Sequence, residues 1–232
     1  MESLDQRLHD VVQAVDNAGR LAGRPGGAKL LAVSKTRPAA DVRALAAAGQ
    51  RAFGENYVRE AVDKRRQLAD LQLEWHLIGH LQSNKAADAA ATFDWVQSVD
   101  RPRIVVALDR ARPEALPPLN VLVQVNVDGE AGKSGCAPAE VDALAAAVAA
   151  CPRLRLRGLM AIPEPHPDPD RRRQAFAALK GLFDRVAATH PGVDTLSMGM
   201  SEDFALAIAE GATLVRIGTA LFGPRDRSVA AG

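Results

Sequence analysis

Eight times along its 232 residues the chain passes from an apolar, β-branched run to a stretch with helical spacing, often alanine-rich. Short turns separate the two. Such alternation is what parallel strands joined by crossover helices require. The runs are KLLAVSK (29–35), RAFGE (51–55), EWHLIG (74–79), FDWVQSV (93–99), NVLVQVNV (120–127), LRLRGLMAI (154–162), DTLSMG (194–199) and ATLVRIG (212–218). Helices are expected over 39–48 before Gly49, 57–69, 83–91, 101–111, from Pro138 to 150, 170–188, 202–210 before Gly211, and briefly from 219. A further amphipathic helix over 2–22 precedes the first unit, with Leu4, Leu8, Val11, Val12 and Val15 on one face.

Eight β/α units can close into a barrel. The rival arrangement is an open doubly wound sheet, which usually carries a glycine-rich phosphate turn after its first strand. Here that turn is SKTRPA (34–39), without glycine. The expectation is therefore a single-domain α/β chain, a (β/α)8 TIM barrel over residues 1–232 with an extra N-terminal helix.

Composition removes several function classes. The net charge is +1 and aromatics make up 4%, which offers neither the basic surface nor the stacking rings of a nucleic-acid binder. No run approaches the roughly 18 apolar residues needed to span a bilayer. The start, MESLDQRLHDVVQAV, lacks the apolar segment of a signal peptide. Cys136 and Cys151 fall in no CxxC pair or metal-ligand spacing and read as reduced thiols. A cytoplasmic protein is expected.

In such a barrel, chemistry sits at the C-terminal ends of the strands. Lysine is scarce here, six against twenty-three arginines, and Lys35 ends an apolar strand. Desolvation there favours the neutral amine, the form that attacks an aldehyde to give an imine. A lysine reaching out to solvent is the ordinary alternative. After strand seven, SMGMSED (197–203) places Ser201 as a helix N-cap over free backbone amides, though capping alone would explain it. After strand eight, Gly218 allows close backbone approach and Thr219 opens a helical turn; the loops after strands seven and eight recur as a phosphate corner. Pleating turns Arg216 to the same side as Leu214 and Gly218, into the mouth. An amine that forms imines, a phosphate corner and an inward arginine together fit pyridoxal 5′-phosphate (PLP).

The strings AVSKTRP (32–38), FGENYVRE (53–60), WHLIGHLQSNK (75–85), VNVDGEAGKSG (125–135), LRGLMAIP (156–163) and SMGMSEDFALAIAEGATLVRIGTALFG (197–223) span nearly the whole chain. In combination they resemble the pyridoxal phosphate homeostasis proteins, PLP-binding barrels of the alanine-racemase-like class. The resemblance implies that Lys35 carries PLP, that Asn56 faces the ring, that Ser201, Gly218 and Thr219 take the phosphate, and that Arg216 approaches the pyridine nitrogen. It also implies a monomer that manages vitamin B6 pools, meeting PLP-requiring apo-enzymes transiently. His80 departs from the proline or serine of many relatives and leaves the cofactor positions untouched.

Binding is expected over turnover. Enzymes needing a strong electron sink place an acid at the pyridine nitrogen, whereas Arg216 disfavours its protonation. No second domain is expected to follow strand eight, so a second acid/base has no evident source. A PLP-dependent amino-acid racemase is the alternative, and an aldolase whose Lys35 takes a sugar phosphate is a third reading. His76 and His80 have HxxxH spacing, but on a strand and without a third ligand, so no metal is expected. Lys133 reads as a solvated charge; the sharper possibility is a second, mobile amine that takes up PLP on its way to or from Lys35.

Overall fold

Each apolar run becomes a strand because its alternate residues can be buried on both faces, against helices outside and lumen inside. The computed structural model describes residues 3–130 and 132–223. Residue 2 of the expected first helix, Ala131 of the glycine loop and the tail from 224 lie outside the described residues. The chain opens with α1 (Leu4–Leu21), followed by β1 (Lys29–Val33), α2 (Ala39–Ala47), β2 (Ala52–Glu55), α3 (Val58–Gln67) and β3 (Glu74–Leu77). Next come α4 (Ala86–Thr92), entered through a 3-10 turn at Ser83–Lys85, β4 (Trp95–Val99), α5 (Pro102–Ala111) and β5 (Leu119–Gln124). The rest is α6 (Val141–Ala149), β6 (Leu154–Met160), α7 (Pro169–Thr189), β7 (Thr195–Ser197), α8 (Phe204–Ala209), β8 (Leu214–Ile217) and α9 (Thr219–Phe222).

Among the described residues the eight strands pair in chain order, all parallel, and β8 returns to β1 to close the barrel. The closing register sets Lys29 opposite Leu214 and Leu31 opposite Arg216. The expected fold class is observed, including the N-terminal helix. Ser3 caps α1 by accepting from Gln6 N at 3.2 Å, and Leu8, Val11, Val15 and Ala18 form its buried stripe. Val12, expected on that face, lies past the edge of the stripe and is 40% exposed. The helix packs on α2, α8 and α9, over the seam where the barrel closes.

Several strands stop short of their apolar runs, because a strand lasts only as long as its ladder. The run 29–35 pairs as far as Val33. Arg37 N then donates to Ser34 O at 3.0 Å and closes a turn.

The main core lies between strands and helices, with Phe53, Phe93, Phe176, Leu45 and Leu108 fully buried. The lumen is packed differently. It holds two small apolar clusters, Leu31 with Ile78 and Leu214, and Trp95 with Leu122 and Met160. Buried polar side chains from β3, β4, β7 and β8 accompany them. No described helix is long and apolar enough to cross a membrane.

Candidate functional site

A cavity of about 900 Å³ opens at the C-terminal mouth of the barrel. Its wall is built from the residues that follow the strands. Lys35 comes after β1, Asn56 after β2, Ile78, Gly79 and His80 after β3, and Ser201 after β7; Arg216 is on β8, with Gly218 and Thr219 beyond it. All six residues expected at the cofactor site therefore line one cavity. Gln124, Lys133, Ser134 and the 162–167 segment complete it on the β5 and β6 side, with Arg172 from α7.

Two local expectations are corrected. Lys35 does not end a strand; it is half-buried in the turn after β1, next to Thr36, whose φ of 63° is left-handed. Ser201 is not a helix N-cap. Helix α8 starts only at Phe204, so Asp203 holds the cap position and its Oδ1 accepts from Met200 N at 2.7 Å. Ser201 sits in the turn over 201–203 and reaches the cavity from there. The Asp203 carboxylate turns back to Met200 and makes no side-chain bond to the first turn of α8.

Two glycines set the walls. A Cβ on Gly79 would lie 2.2 Å from Asn56 O, so only glycine lets the β3 loop run against Asn56. A Cβ on Gly218 would meet Val33 O at 3.3 Å, so the close approach made there is to β1 across the closing seam.

Arg216 is buried at 3% exposure. Its Nη1 donates to Ser197 Oγ at 2.7 Å and its Nη2 to Ala161 O at 2.8 Å. Ser197 Oγ donates to Gln97 Oε1 at 2.6 Å, Gln97 Nε2 lies 2.9 Å from His76 Nδ1, and His76 Nε2 lies 2.8 Å from Glu74 Oε1. Every step is satisfied when His76 is neutral with its proton on Nε2. The chain of bonds runs from the mouth through the lumen to the opposite rim. Burial pulls the Arg216 pKa down to about 10, with Asp203 opposing, so the guanidinium stays charged at neutral pH.

Behind Lys35 is a second buried cluster. Glu55, at the end of β2, is fully buried; Ser34 Oγ donates to its Oε1 at 2.6 Å and Lys64 Nζ, from α3, at 2.7 Å. Burial pushes the Glu55 carboxyl up to about 7, against the pull of Lys64 and Ser34. Its Oε2 is buried without a hydrogen-bond partner, which agrees with that direction.

The sequence reading passed over this cluster and the lumen chain. An acid inside RAFGE and a glutamine inside FDWVQSV, each in an apolar strand, were the available signals. Lys64 gave none, lying among the ordinary charges of VDKRRQ. His76 and His80 lie apart in role. His76 is in the lumen, stacked on Trp95 at 5.2 Å, while His80 is half-exposed at the mouth, 3.3 Å from Ser134 Oγ. Lys133 stands on the cavity rim and donates to Glu130 Oε1 at 2.8 Å. Cys136 and Cys151 are free thiols.

The family model for the alanine racemase N-terminal domain matches residues 9–226. The pyridoxal phosphate homeostasis protein of Pseudomonas aeruginosa is 55% identical over 227 residues, 97% of each chain. The chain belongs to the pyridoxal phosphate homeostasis protein family. The Escherichia coli K12 member of this family is 50% identical over 232 residues, covering 98% of this chain and 99% of that one. The solved structure of PipY from Synechococcus elongatus with PLP bound is 38% identical, with a TM-score of 0.82, over 95% of this chain and all of that one. Outside the homeostasis family, the alanine racemase of Corynebacterium glutamicum shares the fold (TM-score 0.73) at 19% identity, and the match covers 62% of its chain.

The donor set fits the family's cofactor. One cavity offers a lysine amine, two hydroxyls at the 201 and 219 corner, a side-chain amide at Asn56 and a buried guanidinium. The amine suits an aldehyde, the hydroxyls a phosphate, and the guanidinium an unprotonated aromatic nitrogen, with the amide left for the ring's polar edge.

Proposed function

We propose that this chain binds pyridoxal 5′-phosphate covalently at Lys35 and takes part in intracellular vitamin B6 homeostasis in the cytoplasm, without substrate turnover. The observation that carries this reading is the gathering of Lys35, Asn56, Ser201, Arg216, Gly218 and Thr219 around one cavity. When bound, the cofactor supplies an electrophilic aldehyde carbon that condenses with a lysine amine and releases water. Lys35 supplies the amine. Ser201 and Thr219 hold the phosphate through their hydroxyls, with the Gly218 backbone beside them on the cavity wall. Asn56 orients the ring. Arg216 faces the ring nitrogen, held in place by Ser197 and Ala161.

One feature favours holding over turnover: Arg216 places a positive charge where a strong electron sink needs an acid. The chain acts as a monomer that gives up and receives its cofactor through transient contact with PLP-requiring apo-enzymes.

The test is the absorption spectrum of the protein with pyridoxal 5′-phosphate, repeated after Lys35→Ala. The wild-type chain is expected to show the visible band of a lysine adduct, and borohydride reduction to fix the label on the peptide holding Lys35. The variant is expected to lose both. Racemisation or decarboxylation of amino acids by the pure protein would reject the non-catalytic reading and favour an amino-acid racemase.

A further inference from the structure

The two residues flanking Lys35 are held by charges that do not line the cavity. Lys64 Nζ, only 4% exposed, donates to Ser34 O at 2.6 Å, Glu55 Oε1 at 2.7 Å and Glu60 Oε1 at 2.7 Å. An ammonium has three hydrogens, and all three are used. Glu55 Oε1 also accepts from the Ser34 hydroxyl. On the other side of Lys35, Thr36 N donates to Glu60 Oε1 at 2.6 Å. Thr36 is the one described non-glycine residue with positive φ, at 63°. A β-branched residue avoids that region unless its surroundings impose it.

Burying an ammonium and a carboxylate is costly, and apolar side chains of similar volume usually pack as well or better. Hydrophobic packing, however, would not direct the carbonyl of residue 34 and the amide of residue 36. The cluster does both at once, from α3 and β2, and the residue between those two groups is Lys35.

We propose that Lys64, with Glu55 and Glu60, is a positioning group that fixes the 34–36 turn so that the Lys35 amine is presented to an aldehyde in the cavity. The proposal rests on Lys35 being the cofactor amine. The step it serves is condensation: the amine nitrogen bonds the aldehyde carbon, and the aldehyde oxygen leaves as water with the two amine protons.

The experiment compares wild type, Lys64→Met and the double variant Lys64→Met/Glu55→Gln, which removes both buried charges together. Adduct formation with pyridoxal 5′-phosphate is followed by stopped-flow absorbance, and borohydride trapping locates the label. Binding of 4-deoxypyridoxine 5′-phosphate, which has no aldehyde, is measured in parallel by tryptophan fluorescence. The double variant is expected to keep its thermal midpoint near that of the wild type and to bind the deoxy analogue within about twofold. Adduct formation is expected to slow by about tenfold or more, the scale set by misorientation of a reacting group.

Adduct formation at the wild-type rate in a folded variant overturns the proposal. Equal losses of adduct formation and analogue binding also overturn it, because they indicate general distortion of the cavity. Should neither Lys64 variant fold, Glu60→Gln carries the same comparison. It weakens the acceptor of Thr36 N at a partly exposed site, and the same selective slowing is expected, to a smaller degree. A wild-type chain that binds the analogue but gives no adduct at Lys35 overturns the functional reading itself, and is recognised before any variant is compared.

Discussion

Replacing Glu55 by Gln isolates a pH dependence whose sign follows from burial. The Glu55 carboxyl is displaced from 4.5 to about 7, first by desolvation, with Lys64 and Ser34 pulling the other way and Glu60 adding to the rise. In the unfolded chain it ionises near 4.5. Between pH 4.5 and 7 the folded chain therefore holds a proton that the unfolded chain has released, and stability falls as pH rises. The contribution is complete below 4.5 and gone above about 7. At about 1.4 kcal/mol for each tenfold change in acid constant, the fall is about 3 kcal/mol. Glutamine keeps the Oε1 acceptor used by Ser34 and Lys64 but cannot ionise. Urea unfolding of both proteins from about pH 4.5 to about pH 8.5 should show Glu55→Gln gaining on the wild type by about 3 kcal/mol and then levelling off. Subtracting the two curves removes the opposite slopes of carboxylates held low, such as Glu74 beside His76 and Asp70 beside Arg43. A difference that stays constant across the range, or that moves in favour of the wild type, would refute the reasoning.

Other substitutions probe the remaining parts of the site. Ser197→Ala takes an acceptor from the buried Arg216 Nη1 and a donor from Gln97; a loss of about 1–3 kcal/mol is expected in the urea midpoint, and no change would mean that water replaces the hydroxyl. Gly79→Ala sets a Cβ 2.2 Å from Asn56 O; it should cost about 1–3 kcal/mol and weaken cofactor uptake measured by fluorescence titration, and wild-type behaviour in both would show that Asn56 can move freely. In Lys35→Ala, binding of the deoxy analogue should persist while adduct absorbance disappears, separating the amine from the rest of the pocket.

The barrel was legible because its signal repeats. Eight apolar runs with helices between them leave few arrangements, because β-branched runs such as NVLVQVNV need cover on both faces, which a closed barrel or a doubly wound sheet supplies, and the turn after the first strand lacks the glycines of the latter. The ends of the elements were not legible. Whether Ser34 and Lys35 belong to β1 depends on Arg37 N turning back to Ser34 O, and on Glu60 capturing Thr36 N from a helix more than twenty residues away. Ser201 and Asp203 are both good capping residues in the sequence; where α8 begins is set by the 200–203 turn, in which Asp203 N donates to Met200 O and Asp203 Oδ1 accepts from Met200 N. Lys64 was invisible for a deeper reason. A run of charges on a helix reads as solvated, and only packing reveals that one of them points inward at a carboxylate.

The lumen explains why the mouth suits an anionic aromatic ligand. Barrels of this class usually fill the interior with layers of branched apolar side chains. Here β3, β4, β7 and β8 contribute His76, Gln97, Ser197 and Arg216, linked in one direction. The partners bonded to Arg216 are a hydroxyl and a carbonyl, both neutral, and Asp203 acts on it only through space. The chain of bonds therefore fixes the guanidinium without neutralising it. A charge held this way, in a cavity wall of low dielectric, acts strongly on whatever lies beside it. It attracts a phosphorylated ligand and raises the cost of placing a proton on a neighbouring ring nitrogen. A ring kept unprotonated withdraws electrons weakly, so the same arrangement that strengthens retention weakens carbanion chemistry. With Arg216 beside the ring nitrogen, as proposed, firm retention of the cofactor and weak carbanion chemistry would both follow from one buried arginine.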